Sequence, residues 1–174
     1  MCDLEKGGVI WFSGLAGSGK SFIAEALCEK LRTRLNNVIY LDGDELRELL
    51  GHFGYDKASR LEVSFKRSKF AHFLSSQNML VVVSAISMWK EIYEFNRQSL
   101  KNYFEIYIKC DFDELKRRDK KGLYSGALSG QIKNVVGVDI QFDEPKAHLI
   151  IDNTELNGVN EKVDTILKAL NFKA

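Results

Sequence analysis

The stretch Val9-Ile10-Trp11-Phe12-Ser13-Gly14-Leu15-Ala16-Gly17-Ser18-Gly19-Lys20-Ser21 decides the fold. It opens on an apolar run of strand length, and residues 14–21 fit G-x-x-x-x-G-K-[ST] without a mismatch. Beyond the loop, Ile23, Ala24, Leu27 and Leu31 recur at helical spacing, so a buried strand leads into the loop and a helix leaves it. That context gives the loop its chemistry. Glycines let backbone N–H groups turn inward around phosphate oxygens, and a helix N-terminus adds partial positive charge. The sequence therefore assigns Gly14, Ala16, Gly17, Ser18, Gly19, Lys20 and Ser21 to ATP. Lys20 would reach the β- and γ-phosphates, and the Ser21 hydroxyl would ligate Mg²⁺. A chance glycine-rich turn is the competing reading, and the flanking strand and helix count against it.

Outward from the loop, short apolar runs alternate with helix-like segments. Residues 38–41, 79–84, 104–109 and 149–151 read as further strands. Residues 45–50, 60–76, 90–103, 112–119 and 160–170 read as helices. This order predicts an α/β fold, a P-loop NTPase-type parallel β-sheet of about five strands with helices on both faces, in a single domain over 1–174. With right-handed crossovers the strand C-terminal ends share one rim, where such folds hold their ligands. Pro145 and the glycines Gly122, Gly126, Gly130 and Gly137 mark 120–146 as irregular, the composition of a functional lid.

The loop alone does not name a reaction. No Asn-Lys-x-Asp appears, which counts against guanine specificity, and the third strand ends in Ser-Ala-Ile-Ser rather than Asp-Glu. A small kinase fits better than a motor ATPase. Leu41-Asp42-Gly43-Asp44 then places two carboxylates around a glycine just past a strand end. One can hold Mg²⁺ and the other can accept a proton from an attacking hydroxyl. Arg47, on the same helical face as Asp44, suits a substrate phosphate. The plainer reading is an aspartate cap on a short helix.

Composition limits the partners. Lys plus Arg total 25 against 24 Asp plus Glu, a net charge of +1, so no broad nucleic-acid or membrane surface is expected. The cysteines Cys2, Cys28 and Cys110 and the histidines His52, His72 and His148 are widely separated, giving neither a disulfide frame nor a transition-metal site. The N-terminus has no basic start followed by an apolar stretch, and no apolar run approaches bilayer length, so a cytoplasmic protein is expected. The basic run at 116–121 reads as a solvated helix end. Phe65, Phe70 and Phe73 read as a core stripe and Trp11 and Phe12 as core beneath the loop, while Trp89 fits either lid packing or acceptor contact.

These residues together resemble the adenylylsulfate kinase family. The resemblance rests on VIWFSGLAGSGKS at 9–21, LDGDELR at 41–47, Gly54-Tyr55 with Arg60, Ala85-Ile86-Ser87, RDKKGLY at 118–124 and GQIKNVVGVD at 130–139. These pieces run in family order over nearly the whole chain. The resemblance implies phosphoryl transfer from MgATP to the ribose 3′-hydroxyl of adenylylsulfate, commonly by a homodimer. It implies Asp44 as base, with Lys20 and Lys121 as further catalytic groups and Asp42 beside Ser21 at the metal. Arg47 and Arg60 would take the anionic tail, Ile86 and Ser87 would line the acceptor, and Arg118 would lie near the ATP base. Lys121, Leu123 and Tyr124 would belong to the lid.

Departures cluster where the acceptor should bind. Two family phenylalanines that stack on the acceptor adenine are Tyr55 and Val135 here, so one flat wall is missing. The family's Arg-x-x-Asn-x-x-Arg reads Arg60, Val63 and Lys66, its Ile-Ser-Pro-Tyr reads Ile86-Ser87-Met88-Trp89, and a threonine is Val136. The ATP side is kept while the acceptor side is rewritten, which favours a smaller pyrimidine base. The chain looks most like the branch that phosphorylates the 3′-hydroxyl of cytidine diphosphoramidate in capsule phosphoramidate synthesis. An adenylylsulfate kinase of sulfate assimilation and a non-catalytic ATP-binding sensor remain the alternatives.

Overall fold

The computed structural model describes residues 6–51 and 54–172, so Cys2 and His52 lie outside the described residues. Its sheet is built on β1 (Gly8–Ser13), flanked by β3 (Leu80–Ala85) and β4 (Tyr103–Lys109), with β2 (Val38–Asp42) and β5 (Leu149–Asp152) at the edges. The order is β2-β3-β1-β4-β5, and every pairing is parallel. The expected five-stranded P-loop sheet is the observed one.

β1 shows why both faces must be covered. Ile10 and Phe12 point to one side, where Ile23, Leu27 and Leu31 of α1 (Lys20–Arg32) meet Val163 and Ile166 of α7 (Val159–Ala169). Val9 and Trp11 point to the other, against Ala71 of α3 (Lys57–Ser75) and Ile92 of α4 (Lys90–Ser99). A strand apolar on both faces is stable only between two helical layers. A third apolar cluster, with Trp89, Tyr107, Leu115, Tyr124 and Val135, closes the C-terminal rim of the sheet.

Three expectations change. The helix read over 90–103 stops at Ser99, because Leu100 is extended, Asn102 takes a φ of 48°, and β4 begins pairing with β1 at Tyr103. The segment 120–146 is not irregular throughout. A 3₁₀ turn (Lys120–Gly122) leads into α6 (Leu123–Leu128), started by the Asp119 carboxylate accepting from the Tyr124 and Ser125 N–H groups at 2.8 and 3.3 Å. Its glycines bound this helix rather than break it, since Gly122 and Gly130 take positive φ at either end. Gly126 sits inside because Ile132 leaves no space for a Cβ. Third, Phe65, Phe70 and Phe73 are not one core stripe. Phe65 packs edge-on to Phe95, but Phe73 is 59% exposed on the outer face of α3. Among the described residues, no helix is long and apolar enough to cross a membrane.

Candidate active site

The C-terminal rim holds a cavity of about 590 Å³. At one end lie Ala16, Gly17, Lys20 and Ser21 of the phosphate loop, with Asp42 and Ser84. At the other lie Arg47, Tyr55 and Arg60, while Arg67 reaches the Gly43 carbonyl beside Asp42 and Asp44; Ile86 and Val135 line the space with Lys121 and Leu123. Asp44 opens onto the same space from α2 (Gly43–Leu49).

The loop has the shape its spacing implied. Gly17 and Gly19 take φ of 78° and 89°, which a side chain would strain. A Cβ at Gly14 would stand 2.6 Å from Ser18 Oγ and 2.7 Å from the Ile108 carbonyl oxygen. Ser18 is buried, and among the described residues its hydroxyl has no partner. The backbone is pinned from behind. Asn153 Nδ2 donates to the Ser18 carbonyl at 2.7 Å, the Tyr124 hydroxyl to that of Ala16 at 2.7 Å, and Arg118 Nη1 to that of Gly17 at 3.1 Å.

Asp42 caps α2 with one oxygen and turns the other toward Ser21. Its Oδ1 accepts from the Asp44 and Glu45 N–H groups at 2.8 and 3.3 Å and so starts α2. Its Oδ2 accepts from Ser21 Oγ and from the Tyr40 hydroxyl, both at 3.2 Å. Burial pushes the Tyr40 phenol above its ordinary value, so it stays a donor. The β2–β3 register sets Asp42 beside Ser84, whose hydroxyl is 3.1 Å from Ser21 Oγ. A carboxylate and two hydroxyls, all hard oxygens, form a donor set that suits Mg²⁺ with several retained waters.

At the acceptor end, α2 delivers Arg47 and the start of α3 delivers Arg60. Arg47 Nη1 donates to the Gly54 carbonyl at 2.5 Å; Arg60 donates to those of Tyr55 at 2.6 Å and Asn134 at 2.8 Å. Both guanidiniums stand over the Tyr55 ring, 4.7 and 5.3 Å from its centroid. Burial first, then the charge of Arg47, lowers Arg60 to about 10, so it remains a cation at neutral pH. Val135 is held by its N–H donating to Asp139, and with Val136 it gives that wall an aliphatic surface.

Comparison with known proteins places this geometry. A model of the adenylylsulphate kinase family matches residues 6–152. The chain belongs to this family. It is 57% identical over 162 residues to the cytidine diphosphoramidate kinase of Campylobacter jejuni, covering 93% of this chain and 95% of that protein. It is 35% identical over 166 residues to an adenylyl-sulfate kinase of Picosynechococcus, covering 95% and 94%. The fold superimposes on the Mycobacterium tuberculosis APS kinase CysC, solved with AMPPNP and APS, with a TM-score of 0.85 and 31% identity over 95% of this chain and 98% of that one. Family and fold make the chain a phosphotransferase.

Within the family frame some residues sit elsewhere than the sequence implied. Tyr124 is fully buried, so it props the phosphate loop instead of facing the cavity. Arg118 is spread over the Gly17, Asn153 and Thr154 carbonyls and the Glu114 carboxylate. Ser87 lies behind Ile86, bonded to Ser64 and Arg67. Lys66, aligned with a family arginine, turns outward to pair with Glu62 at 2.7 Å, its side chain 47% exposed. Trp89 is buried and donates its indole N–H to the Gln141 carbonyl at 3.1 Å, which places it as packing under the 120–146 segment. Sequence reasoning missed Ser84, Asn153, Val136 as a wall, and above all Arg67. The Ser-Ala-Ile-Ser strand end was the available signal for Ser84; nothing local marked the others.

Proposed function

We propose that the protein transfers the γ-phosphate of ATP to the ribose 3′-hydroxyl of cytidine diphosphoramidate. The observation that carries the reaction class is one cavity with a phosphate loop and hard oxygens at one end, guanidiniums at the other, and Asp44 opening onto both. The likeness to the Campylobacter jejuni enzyme supports the acceptor.

In this reading the loop N–H groups and Lys20 hold the ATP phosphates. Ser21 and Asp42, with Ser84 beside them, would hold Mg²⁺, which when bound offsets charge on the phosphate oxygens. Asp44 takes the proton of the 3′-hydroxyl as its oxygen bonds to the γ-phosphorus and the bond to the ADP oxygen breaks. Arg47 and Arg60 take the anionic tail of the acceptor, and Lys121 faces the phosphates from the 120–146 segment. That segment acts as a lid, keeping water from the phosphoryl group. The protein works as a cytoplasmic homodimer on small molecules; light scattering reads the assembly.

The test is ADP release by the purified protein with MgATP plus cytidine diphosphoramidate or adenylylsulfate, against MgATP alone. Preferential turnover of the cytidine compound is expected. Preference for adenylylsulfate would return the protein to sulfate activation, and no turnover with either would point to a nucleotide sensor.

A further inference from the structure

Arg67 is the most deeply buried cation of the cavity, at 3% exposure. Its Nη1 donates to Ser87 Oγ at 3.1 Å and its Nη2 to the Gly43 carbonyl at 3.0 Å. Its Nε–H is buried with no partner, and among the described residues no carboxylate pairs with the guanidinium. Burial and the nearby charge of Arg47 lower it only to about 10, so the charge is kept. Buried donors are nearly always satisfied, and one without a partner on a residue that lines a cavity points to a ligand contact.

Its place separates it from the other arginines. Arg47 and Arg60 gather over Tyr55 at the rim, tied to carbonyls of 54, 55 and 134. Arg67 is tied instead to Gly43 at the start of α2 and to Ser87 just past β3, close to the charges of Asp42 and Asp44, in a cavity that Ile86, Val135 and Val136 also line. A charged tail fits the rim pair; Asp42 and Asp44 beside Arg67 disfavour a second anion there, and a neutral heterocycle with acceptor atoms fits its donors. Cytosine presents two adjacent acceptors, O2 and N3, to a donor-only guanidinium. On adenine each edge that offers an acceptor beside the amino group pairs it with a donor, which an arginine repels.

We propose that Arg67 reads the acceptor base, its guanidinium donating to the O2 carbonyl oxygen of a pyrimidine. The inference rests on the acceptor reading above and adds the residue that sets the choice of base.

The test measures kcat/KM for cytidine diphosphoramidate and for adenylylsulfate with wild type, Arg67→Met and Arg67→Lys. Calorimetric MgATP binding and the melting temperature confirm that each variant is folded. For Arg67→Met the cytidine-to-adenylylsulfate ratio should fall about tenfold or more, through the KM of the cytidine acceptor. Arg67→Lys, which keeps the charge and a smaller change to the fold, should shift the ratio the same way and carries the test if Arg67→Met does not bind MgATP. An equal loss on both acceptors would make Arg67 a phosphate or backbone anchor and overturn the proposal, as would an unshifted ratio. Wild-type silence on the cytidine compound would overturn the acceptor reading and the base contact together; wild-type turnover with an unshifted ratio would overturn the base contact alone.

Discussion

The Asp42 carboxylate stands 3.2 Å from Ser21 Oγ through one oxygen while the other oxygen caps α2. One side chain therefore links the start of α1, the end of β2 and the helix that carries Asp44 and Arg47. Asparagine keeps the capping oxygen but removes the charge, so the two duties can be separated. Asp42→Asn should lose activity with little change in stability, whereas Asp42→Ala should also lose about 1 kcal/mol from the missing cap. Urea unfolding beside a magnesium-dependent rate measurement checks both; a large stability loss in Asp42→Asn would make the residue chiefly structural.

Asp44 favours the charged forms of Arg60 and Arg67, but its side chain caps no helix, so its replacement by asparagine should fall mainly on the chemistry. Asp44→Asn should lower kcat by about 10²–10⁴-fold, the range for a positioned base, while calorimetry finds MgATP affinity nearly unchanged. Retained turnover would remove Asp44 as the base.

Val135 supplies an aliphatic wall where a second aromatic ring would stack on an adenine. Val135→Phe should move preference toward adenylylsulfate, with stacking contributing about 1–3 kcal/mol. Competition between the two acceptors at fixed MgATP measures the shift, and an unmoved ratio would refute the missing-wall reading.

Acid stability has an assignable contributor at Glu114. Hydrogen bonds from Arg117 and then Arg118 hold its carboxyl well below the ordinary range, at about 2. A depressed carboxylate stabilises the fold above its unfolded pKa, and that stability is lost as pH falls through the folded value. Between pH 4.5 and 2 the melting temperature of wild type should therefore fall more steeply than that of Glu114→Gln. Parallel curves would show that the ion pairs on α5 (Phe112–Arg118) add nothing measurable.

The phosphate loop, the parallel sheet and the carboxylates at the end of β2 are legible in residue order alone. These depend on local signals: glycine spacing, apolar runs of strand length and helical periodicity over one or two turns. The boundaries it missed, at Ser99 and around α6, were set by β4 pairing with β1 and by an Asp119 side chain reaching forward to Tyr124 and Ser125. Which side chains meet across the rim depends on packing between elements far apart in the chain. Strand register put Ser84 beside Asp42, a relation no window of sequence contains. Helix phase did the same for α3, where adjacent residues lie about 100° apart, so Lys66 faces solvent and Arg67 the cavity. That one-residue difference separates a surface ion pair from a buried guanidinium with an unpartnered donor, because only the packed sheet beneath α3 defines which direction is inside.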